Sequence, residues 1–497
     1  MVRRRRWQTL VWCASLFGVA ASPLAPAVAA EREPLGYPES VGDESPTMPA
    51  FPRRADEPQV PAGLDPQRAP EHATDPDGLL AWFQEPFPAS PCDRELVDPA
   101  WMGPGEYAYH TSAQHCWCSR DHTRMFRMNY MGRLWVAADL LLWSTSGNSL
   151  PGLVTSSPAG TPAAQAGVIG QPGTSILFGS DWVPGTIRPG GRITVGYWFD
   201  PRQHDGIDAQ YFQLADATTT GTFTNQGGTL LGRPYVDATT GQQAAVLFPP
   251  PYTLPADASL LSRSIIATQD TSFQGFDLLF RRSLSCDLLH RRWLVGGYRF
   301  LQLNDTLGIS DSSVVSSGSA PGYPLTNISS YDQFRAQTQF HGGEFGLIER
   351  WWYERWSLQV LGKMALGASI FNTDIGGSTL ATQTLAAGAT PTVLSNTAGS
   401  VLSQPTNIGS YGSSAFAAVG ELGATIDYAI WSQCRLSVGY TAIWWSTVGR
   451  AADQIDTTVN PTQFPPGTLS GPAQPAFHQR STDFWAQGLN LGFEYQF

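Results

Sequence analysis

Lysine is almost missing from this chain: Lys363 is the single instance, and every other basic residue is Arg. Charged residues of both signs together make up only 14%, against about 25% in soluble domains. Beyond the N-terminus no stretch reaches 18 consecutive apolar residues, which excludes a transmembrane helix from the mature chain. A Gly-x-Ser-x-Gly elbow and a Walker motif are both missing. The net charge of -11 lacks the basic footprint that nucleic-acid binding needs. No enzyme, cofactor, metal site or nucleic-acid partner is therefore expected. What the chain has in plenty is Gly (50), Pro (38) and Trp (17).

The N-terminus carries an export address. Arg3 to Arg6 form a positive start, Leu10 to Ala21 an apolar run, and Ala27 to Ala30 supply the small residues a signal peptidase reads. The run is too short to span a bilayer, which takes about 20 residues. Residues 1–30 are read as a signal peptide cleaved near Ala29 or Ala30, which leaves the mature chain at about -15.

Residues 31–130 are read as a periplasmic linker. They are dense in Pro and charged residues with little periodicity, a composition that buries too little apolar surface to fold. This largely disordered N-terminal extension is expected either to contact the cell wall or to plug the lumen. It ends in a short Cys and aromatic segment with Tyr107, Tyr109, Cys116, Trp117 and Cys118. His110, His115, Cys116, Cys118 and His122 cluster there without the spacing of a zinc site. A disulfide from Cys92 to Cys116 or Cys118 suits an oxidising compartment better.

From residue 131 onward, segments of about ten residues alternate in period two, apolar on one face and small or polar on the other. The last is clearest: Trp485, Gln487, Leu489, Leu491, Phe493, Tyr495 and Phe497 oppose Ala486, Gly488, Asn490, Gly492, Glu494 and Gln496. Ten such segments are legible, although 132–143 is apolar on both faces. Their connections alternate long (144–190, 215–270, 304–338, 369–416, 446–483) and short (201–205, 283–291, 352–355, 429–433). Outer-membrane barrels have this alternation, with the short turns in the periplasm. Trp351, Trp352, Tyr353, Trp356, Tyr428 and Trp431 flank the short turns, and Trp143, Trp444, Trp445 and Trp485 the long loops, where aromatic girdles belong. The expected fold is an all-β, antiparallel, up-and-down transmembrane barrel over 131–497, with about 10 strands (10–12).

Two stretches, Gly132-Arg-Leu-Trp-Val-Ala-Ala-Asp-Leu-Leu-Leu-Trp143 and Pro189-Gly-Gly-Arg-Ile-Thr-Val-Gly-Tyr-Trp-Phe-Asp200, resemble the opening strands of the seventh family of β-barrel porins. The pair Phe276-Asp-Leu-Leu-Phe-Arg281 and Leu294-Val-Gly-Gly-Tyr-Arg-Phe300 is similar to that family too. The resemblance covers roughly 130–497. It implies an outer-membrane barrel and fixes no substrate.

The alternation turns Arg192, Asp208, Asp277, Arg299, Glu344, Lys363, Glu421, Asp427, Arg435 and Glu494 inward. They are either a polar pore lining or ion pairs that fill a narrow barrel. For an open lumen, the acidic excess of the chain points to a weak cation preference. Two functions are expected: a porin passing small polar solutes, or a structural or adhesive surface protein whose barrel anchors Ser/Thr/Gly-rich outer loops. The expected partners are outer-membrane lipid and the barrel-assembly machinery. The latter would read the final strand through Phe493, Tyr495 and the terminal Phe497. Replacing Phe497 with Ser should leave barrel stability nearly intact but slow insertion. The measurement is the level of folded outer-membrane protein against periplasmic degradation products; an unchanged level would remove Phe497 from the assembly signal.

Overall fold

The computed structural model describes residues 133–497, without 181, 184–186, 202, 226–228, 249–260, 287–288, 317–324 and 465–466. The signal peptide, the Pro-rich linker and the Cys/His segment with Cys92, Cys116 and Cys118 lie outside the described residues.

Ten strands form the wall: β1 Leu134–Thr145, β2 Ile187–Trp198, β3 Asp205–Leu214, β4 Leu261–Cys286, β5 His290–Ser316, β6 Leu325–Tyr353, β7 Trp356–Thr384, β8 Gly409–Trp431, β9 Cys434–Val448 and β10 Thr482–Gln496. Each pairs antiparallel with its neighbours in sequence. The ring closes between β1 and β10, from Trp135 opposite Gln496 to Thr145 opposite Ala486. The phase is set by the alternation: Ile193, Val195, Tyr197, Leu358, Val360, Met364, Leu489 and Leu491 are exposed on the outer face, where lipid belongs.

The wall is much taller than a membrane on one side. β4 to β7 run for 26 to 29 residues, whereas a membrane-spanning strand needs about 9–11. Much of what the sequence suggested were loops, in 215–270, 304–338 and 369–416, is therefore strand. The physical reason is a change of polarity along one strand. In the lower part of β7, Leu358, Met364 and Leu366 face out and Lys363 faces in. Past Ile370 the outward set becomes Asn372 and Asp374, while Phe371 and Ile375 face inward. Outside the lipid the alternation continues with its sign reversed.

These tall strands form a half-shell above the membrane. Ala217–Thr224 continues β3 along β4, and Thr392–Ala398 pairs with the top of β7. Loops cover the inner face of this sheet. Leu150, Val154, Leu231, Val246, Val401, Ala451 and Val459 pack against Ile265, Leu307, Ile309, Phe334 and Ile375 of the wall. Three wall carboxylates hold those loops. Asp305 accepts from Arg450 Nε (3.0 Å) and the Ala451 amide (3.2 Å). Asp332 pairs with Arg233 (2.8 Å) and accepts from the Ser403 amide (2.8 Å). Asp311 holds Arg263, whose Nη1 donates to the carbonyl of Leu231 (2.7 Å). In the same loop layer, burial, with Asp237 nearby, pushes the Tyr235 phenol up to about 12.

The girdle residues divide by face. Trp351, Tyr353, Trp356, Trp431, Trp444 and Trp485 are exposed on the outer face, but Trp143, Trp352 and Trp445 point inward. In the doublets Trp351–Trp352 and Trp444–Trp445 the pleat sends one ring each way. A wall with this outer face should resist carbonate extraction and migrate faster unheated than boiled in detergent gels. Recovery as a soluble periplasmic protein would contradict it.

Candidate functional site

The interior below the half-shell has three layers. The uppermost is an apolar septum. Leu141 and Trp143 (β1), Phe212 and Leu214 (β3), Phe273 (β4), Leu301 and Leu303 (β5), Phe340 (β6), Ala365 (β7), Ala417 and Val419 (β8), Ile443 and Trp445 (β9), and Phe484 and Ala486 (β10) meet at one level. None is more than 2% exposed. The one remaining strand, β2, contributes Gly190, where a Cβ would come within 2.7 Å of the Leu214 side chain. Rings touch in a chain: Trp143 with Phe212 at 5.4 Å and Phe212 with Phe273 at 5.3 Å along the wall, and Phe273 with Phe484 at 4.9 Å across the lumen. The buried indole nitrogens are satisfied: Trp143 donates to Asn490 (2.7 Å) and Trp445 to Ser369 (3.0 Å). This layer explains why segment 132–143 is apolar on both faces.

Directly beneath lies a five-charge cluster from five consecutive strands. Arg299 Nη1 is 2.6 Å from Glu344 and 2.7 Å from Glu421. Lys363 Nζ is 3.1 Å from Asp277, 3.1 Å from Glu421 and 3.5 Å from Glu344. Glu344 and Glu421 flank Lys363 from β6 and β8, while Asp277 reaches it from β4. The three carboxylates converge closely enough to hold a metal ion. The Lys363 ammonium stands within 3.5 Å of all three and takes the place such a cation would occupy. The donor set thus fits an internal amine better than a metal.

The lowest layer is a cavity of about 170 Å³ that reaches the short-turn end, where Gln203 and Gln496 line it. Arg192 pairs with Asp139 (2.8 Å), Arg281 with Asp208, and Arg435 with Glu494 (3.0 Å). Arg350 lies 3.5 Å from Asp427, which also accepts from Ser357 (2.9 Å). Trp135, Trp198, Trp293 and Trp352 line it as well. Arg281 lies over the Trp135 ring and Arg291 over that of Trp293.

All ten inward residues expected from the sequence face the interior. Asp277, Arg299, Glu344, Lys363 and Glu421 come together in the cluster, and Arg192, Asp208, Asp427, Arg435 and Glu494 take part in the surrounding pairs. Sequence reasoning sets Arg281 opposite the outward residues of its segment and makes Asp139 a polar exception in 132–143, but it counts neither of them, nor Arg350, among the lumen charges, and all three line the cavity. It also missed the wall carboxylates of the half-shell, whose strands had been taken as loops. Among the described residues the two inner layers hold seven basic groups (Arg192, Arg281, Arg291, Arg299, Arg350, Lys363, Arg435) and seven acidic ones (Asp139, Asp208, Asp277, Glu344, Glu421, Asp427, Glu494). The acidic excess of the whole chain does not extend to this lining, so it gives no ground for a cation preference. At the terminus, Phe497 faces outward beside Tyr495 and its amide donates to the Leu134 carbonyl (2.9 Å).

Removing one member of a buried ion cluster leaves charges that cannot be resolvated, at a cost of about 3–5 kcal/mol. Lys363→Met should therefore lower the unfolding midpoint in urea by that equivalent, and Lys363→Arg by much less. Equal stability of Lys363→Met and the parent would show that Lys363 does not hold the cluster together.

None of the curated proteins compared with this chain matches it. Several solved structures are similar at low identity. They include the outer membrane protease OmpT from Escherichia coli (11% identity, 73% of this chain and 97% of that one, TM-score 0.34). A Pseudomonas aeruginosa FadL homologue follows (7%, 74% and 91%, TM-score 0.20). So does the P. putida toluene transporter TodX (9%, 73% and 89%, TM-score 0.16). At these scores none of these structures lends this chain an activity. The family model described as Putative beta barrel porin-7 matches residues 135–497. With that match over the whole described wall, the chain belongs to the Putative beta barrel porin-7 family, and is an outer-membrane β-barrel protein.

Proposed function

We propose that this protein is a closed outer-membrane barrel that anchors a tall surface structure, the half-shell with its loops. The observation that carries this reading is the septum. A channel wide enough for water wets its lining, whereas no septum side chain is more than 2% exposed. The ion cluster below it adds a second barrier, because a solute would have to displace paired charges with side chains at most 4% exposed. Ten strands also favour a filled interior over the open lumen of barrels with sixteen.

Passage of small polar solutes, the first expectation from the sequence, would need a second conformation in which the septum parts. The same reading leaves no role for catalysis: the interior acids are engaged by bases, and His341 lies on the outer face beside Tyr298 (2.7 Å). Export by a cleaved signal peptide and insertion through the Phe497 strand belong to this proposal as its route to the membrane.

Planar-bilayer recording of the purified full chain tests the proposal. The parent should give no steady conductance, since both the septum and the ion cluster beneath it close the lumen. Stable conductance steps from the parent would overturn the closed-barrel reading and restore the porin.

A further inference from the structure

We propose that the β5–β6 side of the lower cavity is a binding site for an oxyanion, a phosphate or carboxylate group presented from the short-turn end. Arg291 and Trp293 of β5 and Arg350 of β6 line the cavity there. The three residues come from adjacent strands and stand side by side. Arg291 is directly opposite Arg350 in the ladder, and Trp293 is the next inward residue of β5, with the Arg291 guanidinium 5.6 Å over its ring. Like charges directly opposite one another on a sheet are destabilising. An anion seated between the two guanidinium groups removes that cost and adds charge-assisted hydrogen bonds.

Hydrogen bonding selects the same ligand class. Trp293 is only 5% exposed, and its Nε1 donates to no acceptor among the described residues. Arg350 is engaged through one nitrogen: Nη2 lies 3.5 Å from Asp427 and 3.9 Å from Glu494, while Nε has no acceptor among the described residues. Those two acids are themselves shared, Asp427 with Ser357 (2.9 Å) and Glu494 with Arg435 (3.0 Å). The unmet groups at this place are thus donors, and a buried donor without a partner is costly. An oxyanion brings acceptors only, in the planar arrangement that guanidinium groups fit. A cation would add to the repulsion, and a hydroxyl compound would answer the donors but leave the two charges facing each other. The charge balance by layer agrees. The ion cluster has two bases and three acids, whereas the cavity layer has five bases and four acids among the described residues. The interior is neutral as a whole, and its open end carries the positive share. Two sources carry this chemistry: free phosphate, or the carboxylates of cell-wall peptides.

The test uses the full chain folded in a non-ionic detergent. Titration calorimetry with inorganic phosphate and with N-acetyl-D-alanine, which presents the carboxylate of a cell-wall peptide, should show saturable binding of at least one. Putrescine and maltose, the cationic and neutral probes, should bind far more weakly. Arg291→Gln should weaken oxyanion binding on the order of tenfold, the loss expected for one charge-assisted hydrogen bond. Without anion this variant should melt no lower than the parent, because it relieves the facing pair. Added phosphate or N-acetyl-D-alanine, whichever binds, should raise the melting temperature of the parent and leave that of the variant nearly unchanged. Heat-modifiable migration checks that the variant folds. If it does not, Trp293→Phe, which keeps a ring and removes the N–H, should weaken binding severalfold. Tighter binding of phosphate would identify the free ion, and the reverse the cell-wall peptide; either supports the site. No oxyanion binding by the folded parent, equal binding of putrescine or maltose, or binding untouched in both folded variants would overturn it. So would an anion-free melting temperature that falls in folded Arg291→Gln, since the facing charges would then be compensated within the protein. The site lies below the septum, so it and the closed barrel can fail separately.

Discussion

Everything in this molecule follows from the closing of one sheet on itself. Hydrocarbon offers no partner to a backbone amide or carbonyl, so an open edge within the membrane is not tolerated. The seam between β1 and β10 removes the last edge, and its sequence is adapted to it. At Gly488 a Cβ would stand 2.2 Å from the Leu142 carbonyl oxygen, and at Gly492 one would stand 2.1 Å from Asp139 Oδ1. Small residues let the final strand approach the first closely, and Asp139 is then free to turn to Arg192 across the adjoining pair of strands.

Closure at ten strands fixes the interior width, and the width fixes the chemistry inside. Side chains from opposite walls meet, so whatever faces in must pack or pair. At the septum they pack as rings and aliphatic groups. Below it they pair as charges, and the same five strands supply both layers: Lys363 and Ala365, Glu421 and Val419, and Arg299 and Leu301 stand two residues apart, Asp277 and Phe273, and Glu344 and Phe340, four. The cluster is not an efficient way to stabilise a barrel, since buried ion pairs roughly cancel their own desolvation. It does fix register, because a slip of any of the five strands by one residue would turn its charge into lipid.

The barrel below the half-shell was legible in the sequence, and the half-shell was not. Leu489, Leu491 and Phe493 on one face and Asn490, Gly492 and Glu494 on the other are unmistakable, because lipid on one side demands unbroken apolar character. The inward charges were legible for the same reason: none of them tolerates hydrocarbon. Above the membrane that demand ends. Ser310, Ser312 and Gln333 face out while Ile309, Asp311 and Phe334 face in, and a pattern tuned to apolar-outside reads such stretches as loop. The pairing across the lumen was legible only in part. Neighbouring partners such as Lys363 and Glu421 follow from strand order, whereas the reach of Asp277 from β4 depends on the barrel's width. The septum was hidden in what looked like noise, since Trp143 and Trp445 read as girdle residues when taken one at a time.

The loops that cover the half-shell are structural parts rather than free appendages. Leu150, Val154, Leu231, Val246, Val401, Ala451 and Val459 give apolar cover to a sheet face carrying Ile265, Leu307, Phe334 and Ile375. Most of their length is therefore closed to insertions and to proteases, since lengthening or cutting it would strip that face and expose it to water. The tolerant positions are the tips: Gly160 and its neighbours, the turn at Thr239–Gly241, and 386–391, all exposed and outside this packing. Variation among surface-exposed copies of such a protein has room there, and a foreign epitope grafted at one of these tips would be displayed without loosening the structure that carries it.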